Sequence, residues 1–257
     1  MTQPARSEIP DIQPLKLADL WAALRAGLRD FQRAPGWGLF FGGVYVVIGL
    51  ALVLLGAGAL AWTVMLCLGF PLIGPFAAVG LYEVSRRLEA GDALDRAEIL
   101  GVVLAERHRQ IPWAGAIMGF MLLFWSFLAH MIFALFMGLS VMVNVSTSYE
   151  IYLTANGLTM IAVELAVGAV FAFVLFSLSV VSLPLLLDKE LDFITAMLIS
   201  LSCVRANPGV MLVWALVVAG LLFVGMLPGL LGLLVVLPVL GHATWHLYRR
   251  VLAPVEG

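Results

Sequence analysis

The chain has 257 residues, 63% of them hydrophobic and 12% charged, where a soluble domain has roughly 45–50% and about 25%. Its mean hydropathy of +1.07 needs lipid as solvent and excludes a soluble globular enzyme. A net charge of -2 leaves no electrostatic footprint for nucleic acid.

Residues 1–14 are polar, with three prolines, and lack the apolar core and cleavage site of a secretory signal. A disordered cytoplasmic tail is expected there. Residues 15–252 are expected to form a single membrane domain, followed by a short cytoplasmic tail at 253–257. Leu17 to Arg33 comes first. Leu17, Leu20, Trp21, Leu24, Leu28 and Phe31 share one helical stripe, and Asp19, Arg25, Arg29, Asp30 and Arg33 fall on the other side. That pattern predicts an amphipathic helix lying at the membrane surface.

Six apolar stretches follow that are long enough to span, a crossing needing about 20 residues. They run from about Trp37 to Leu60, Thr63 to Tyr82, Trp113 to Val143, Leu158 to Leu187, Gly209 to Met226, and Gly229 to Tyr248. Gly42-Gly43, Gly49, Gly56 and Gly58 point to close helix packing in the first. Asp92 to Ile111, with Asp92 as N-cap, and Leu191 to Arg205 read as two further surface helices between spans. All three surface helices end on arginine and then proline: Arg33 and Pro35, Arg109 and Pro112, Arg205 and Pro208. Asp19, Asp95 and Asp192 each precede one of these prolines by 16 or 17 positions. The expected fold is therefore all-α: six transmembrane helices as three hairpins, each preceded by a cytoplasmic amphipathic interfacial helix. The repeat modules cover about 15–88, 92–188 and 191–252. Pro75, Pro184 and Pro238 recur near the inner end of each second span and predict kinks.

All 14 Lys and Arg lie before the first span, after the last, or in the loops on that same side. Five precede the first span, five lie between the second and third, two between the fourth and fifth, and two follow the sixth. This is the positive-inside pattern and puts both termini in the cytoplasm. Trp37, Trp62, Trp113, Trp245, Tyr82 and Tyr248 are expected near the interfaces. Cys67 and Cys203 suggest no disulfide framework and read as small buried side chains.

Few residues could carry chemistry. His130 and Glu164 are ionisable groups inside adjacent antiparallel spans. They can form a polar pair, either as a proton relay or ligand group in a cavity or as a plain interhelical bond. His242 and His246 share a helix face at i, i+4, a spacing suited to metal or, through one His, haem. A third ligand would have to come from elsewhere, Glu83 and His108 being candidates. The alternatives are an interfacial anchor built with Trp245, Tyr248, Arg249 and Arg250, or a polar-network or lipid-headgroup site. No P-loop, Rossmann glycine pattern, HExxH, GxSxG or CxxC occurs, so no catalytic residue and no cofactor are expected.

With its three modules and the ending Gly241-His242-Ala243-Thr244-Trp245-His246-Leu247-Tyr248-Arg249-Arg250, the chain resembles a family of uncharacterised bacterial integral membrane proteins. The resemblance extends from about Leu15 to Leu252. Some members carry the label cytochrome c oxidase subunit I-like, but the four His here have no counterpart to that subunit's haem and copper set. The resemblance implies a six-span fold in the bacterial inner membrane. Three functions remain open: a non-enzymatic scaffold or assembly partner of a larger membrane complex, a transporter or lipid-handling protein with a cavity between hairpins, or a haem- or metal-binding membrane protein. The expected partners are the lipid bilayer, other membrane proteins, or a second copy.

Overall fold

The computed structural model describes residues 11–54, 60–138 and 149–252, with the side chains at 52–53, 60–73 and 149 excepted. Among the described residues the chain is all helical. In order come α1 (Leu17–Arg33), α2 (Pro35–Leu54), α3 (Leu60–Ala90), α4 (Arg96–Ala105), α5 (Ile111–Met137), α6 (Ala155–Ser179), α7 (Ser182–Asp188), α8 (Phe193–Ala206), α9 (Pro208–Met226) and α10 (Leu233–Val251). Short 3-10 turns occupy Glu106–His108 and Tyr149–Leu153.

Among the described residues three stretches are long and apolar enough to cross a membrane: Ile111–Met137, Ala155–Asp188 and Pro208–Met226. A fourth appears if α1 and α2, bent by 104° at Ala34, count as one broken span. The expected turn around Gly56, Gly58 and Trp62 lies outside the described side chains, as do Cys67, the loop from 139 to 148, residues 1–10 of the N-terminal tail and the C-terminal tail at 253–257. α10, expected to span, carries two His and two Arg, which lowers its apolar content.

Local chemistry fixes the helix starts. Asp19 Oδ2 accepts from the Lys16 N–H at 2.8 Å, and Asp192 accepts from Thr195 N–H at 2.9 Å. Each satisfies a donor left unpaired at a helix N-terminus. At α4 the N-cap is Asp95, which accepts from Glu98 N–H at 3.0 Å. The expected cap at Asp92 is corrected by the end of α3. Gly91 there has φ +77°, and the Asp92 N–H closes back onto Arg87 O at 2.9 Å. That is a Schellman closure, so Asp92 terminates one helix and does not begin the next. Pro208 opens α9 and Pro112 stands in the first turn of α5, where a missing N–H costs nothing.

The prolines inside helices have different outcomes. Pro184 is incompatible with a regular turn four residues earlier, and the helix breaks between Ser179 and Ser182. Ser200 of α8 fills the break. Its hydroxyl accepts from the freed Val181 N–H at 3.1 Å and donates to Ser177 O at 2.8 Å. A side chain thus replaces the missing ladder bond, the usual way that apolar surroundings tolerate a broken helix. Pro238 instead packs on α2, where a Cβ at Gly42 would lie 2.9 Å from its ring.

α10 is the central element. α1, α2, α3 and α9 all pack on it, with α1 making the most extensive contact. The crossing is close: a Cβ on Gly27 of α1 would come within 2.5 Å of Ala243 N and 2.6 Å of Val239 O. The face of α1 that this buries is Leu20, Ala23, Ala26, Gly27 and Asp30. It is the small-residue face and not the expected apolar stripe, whose Leu17, Trp21 and Leu28 stay exposed. Small residues let helices approach closely where the apolar medium itself offers no driving force. The lead-in before α1 is tied down by Gln13 N–H to Val251 O at 2.9 Å and by Leu15 N–H to Asn207 Oδ1 at 2.7 Å.

Candidate functional site

Polar side chains gather at the basic end of the bundle, where α1, α3 and α10 meet. Asp30 is 5% exposed, and Ser85 and His242 are fully buried. The Ser85 hydroxyl donates to Asp30 Oδ2 at 2.8 Å, and His246 Nε2 lies 2.7 Å from the same oxygen. Ser85 Oγ is also 2.8 Å from His242 Nδ1. Proton counting assigns the tautomer. Ser85 has one proton and gives it to Asp30, so His242 must donate through Nδ1–H to Ser85 Oγ. His242 Nε2 then carries a buried lone pair, which has no hydrogen-bond partner among the described residues.

This arrangement places Ser, His and Asp side by side without making a nucleophilic triad. A triad needs the imidazole to take the serine proton and the carboxylate to orient the imidazole. Here the carboxylate holds the serine proton, and the imidazole donates to the serine oxygen. The buried Ser85 also has no access for a substrate.

A second cluster surrounds the first. Glu83 is fully buried and pairs with Arg86 and Arg87, each at 2.7 Å. Arg87 continues to Glu98 at 2.6 Å, which ties α3 to α4. The hydrogen bonds that the Arg87 guanidinium donates to Glu83 and then to Glu98 hold it above its ordinary pKa. Trp245 Nε1–H donates to Glu89 at 3.0 Å, and the Tyr248 hydroxyl donates to Asp188 at 2.6 Å. Beyond α4, Glu106 is 2% exposed and meets Arg109 at 2.6 Å. Burial raises its carboxyl above 4.5, only partly opposed by Arg109.

The residues singled out from sequence fall as follows. His242 and His246 point into the bundle and bond to Ser85 and Asp30. Trp245, Tyr248 and Tyr82, expected as interfacial anchors, are buried, because each packs inward at a helix crossing. Trp113 is exposed, 61%. Glu83 is held by its arginines, and His108 accepts from Arg107 Nε–H at 2.8 Å on the surface. Among the described residues no group of three or more His, Cys, Asp or Glu could hold a metal ion. His130 Nδ1 lies 2.7 Å from Ser126 O on its own helix, and no hydrogen bond or ion pair joins it to Glu164 among the described residues. Cys203 is buried and unpaired. A cavity of about 170 Å³ between α5 and α6 is lined by Trp125, Gly168, Phe171 and other apolar residues, not by His130 or Glu164. Asp30 and Ser85 were missed in the sequence. Asp30 reads there as one more charge on a solvated face, and only the crossing of α1 with α10 brings it inside.

No curated protein and no solved structure matches the chain. The chain is a helical membrane protein whose residues 63–188, just under half of its length, match the family described as a predicted integral membrane protein (DUF2189).

Proposed function

We propose that this chain is a non-enzymatic six-span protein of the bacterial inner membrane that acts as a scaffold or assembly partner within a larger membrane complex. The observation that carries this reading is the use of the buried polar groups on one another. Asp30, Ser85, His242 and His246 bond among themselves, and Glu83 is taken by Arg86 and Arg87. The Asp30, Ser85, His242 and His246 side chains join α1, α3 and α10 and Glu83 is held within α3, while broad apolar faces on α5, α6 and α9 stay exposed for lipid or other membrane helices.

The six spans, the three-hairpin repeat and cytoplasmic termini belong to the same proposal. Three short helices, α1, α4 and α8, each lead through a break into a long apolar helix, and every Lys and Arg falls on one side of the proposed topology. Mild-detergent extraction from native membranes tests the scaffold role. Specific, stoichiometric co-purification of other membrane proteins is expected. A monodisperse chain with no partner under those conditions contradicts it.

A further inference from the structure

The elbow between α1 and α2 holds a cavity that the polar network does not use. Its volume is about 520 Å³, and its lining includes Arg33, Gly36, Trp37, Phe40, Arg96 and Leu100. Two chemistries meet in it. Arg33 closes α1 and Arg96 opens α4, and neither forms an ion pair or side-chain hydrogen bond among the described residues, unlike Arg86, Arg87 and Arg109. Below them the wall is apolar. The Trp37 ring stacks on buried Phe41 at 5.7 Å and 16°, which fixes it as a rigid surface. Phe40, 52% exposed, leads onto the outer face of α2, where Leu39 and Val47 are also exposed.

In the six-span topology proposed above, on which this inference rests, the 104° bend between α1 and α2 sets the two chemistries at different depths. With α2 crossing the bilayer, α1 lies close to the membrane plane, and the cavity opens at headgroup level with the apolar wall running into the acyl region. Two cations without carboxylates above such a wall match one amphiphile chemistry, an anion with a chain attached.

We propose that this elbow cavity binds one anionic phospholipid of the bilayer. The phosphate sits between Arg33 and Arg96, and one acyl chain follows Phe40 along α2. Gly36 leaves the space for the headgroup: a Cβ there would meet nothing within 4 Å.

The full chain, purified in mild detergent and stripped of lipid, is titrated with phosphatidylglycerol, phosphatidylcholine or inorganic phosphate, and bound lipid is read by native mass spectrometry. Phosphatidylglycerol is expected to bind and phosphatidylcholine to bind at least tenfold more weakly. Charge loss at the membrane surface is worth about fivefold per cation, so Arg33→Gln with Arg96→Gln should weaken phosphatidylglycerol by about 30-fold. Gly36→Leu fills the cavity without touching charge and should also weaken it, so the test survives if the double variant fails to fold. Arg25→Gln, outside this cavity, should leave binding within about twofold. Wild-type affinity in both cavity variants overturns the proposal. So does equal binding of phosphatidylcholine, or displacement of the lipid by millimolar inorganic phosphate, which would mark a free-anion site.

Discussion

Asp30 and His246 are 216 positions apart in the chain, and their side chains meet at 2.7 Å. This contact joins the first helix to the last, and Ser85 brings α3 to the same oxygen. Asp30→Ala therefore leaves a buried serine proton and a histidine without their acceptor. The expected cost is about 3 kcal/mol, a fall of roughly 6–12 °C in the thermal midpoint, read by fluorescence-detected size exclusion. A double-mutant cycle with His246→Ala should show coupling of about 1 kcal/mol or more. Zinc added to the wild type should not raise the midpoint. A rise that His242→Ala abolishes would instead indicate a metal site.

Gly27→Ala should destabilise although alanine favours helix by about 1 kcal/mol over glycine. The new Cβ would meet the backbone of α10 at 2.5 Å, and backbone cannot rotate away. A net loss of about 1–3 kcal/mol is expected from forcing α1 off α10. Gly43→Ala, where a Cβ meets nothing within 4 Å, should be neutral or slightly stabilising in the same assay.

Much of this was legible in the sequence, and the rest was not for identifiable reasons. The Arg-Pro breaks at Pro35 and Pro208 mark helix junctions because proline acts through its own residue and its immediate neighbours. Asp192 lies three residues before the N–H it caps, a purely local relationship, whereas the sequence places the α4 cap at Asp92 after Gly91, and the Gly91 closure moves it to Asp95. The i, i+4 spacing of His242 and His246 was visible, but its meaning was not. Their partners come from α1 and α3, and periodicity along one helix carries no information about which face of another helix it meets. Asp30 shows the same limit: it lies on the small-residue face of α1, which packs, and not on the apolar stripe of Leu17, Trp21 and Leu28, which stays exposed.

Ser200→Ala removes the hydroxyl that bridges Val181 N–H and Ser177 O. Two buried backbone groups then lose their partner, at an expected cost of about 2 kcal/mol. Ser200→Thr keeps the hydroxyl and should retain more of the stability. Equal midpoints for wild type and the alanine variant would show that water replaces the bridge.

Glu106 and Asp192 should respond to pH in opposite senses. Burial raises the Glu106 pKa in the folded state, so its contribution is favourable when protonated and is lost as pH rises through that raised value. Glu106→Gln should therefore gain stability relative to wild type as pH rises above about 4.5. Asp192 is lowered from 3.8 by its bond with Thr195. Its contribution is complete above 3.8 and is lost as pH falls below it. Asp192→Asn should flatten the acid side of the stability profile.

The most direct test of the account is topology, measured with reporter fusions in the native membrane. A fluorescent protein fused after Gly257 or after Gly91 should be bright, and alkaline phosphatase at the same two points inactive. Phosphatase fused after Ser148 should be active. Phosphatase activity after Gly257 or Gly91 would place the polar network, the basic end and the elbow cavity on the wrong side of the membrane and contradict the account.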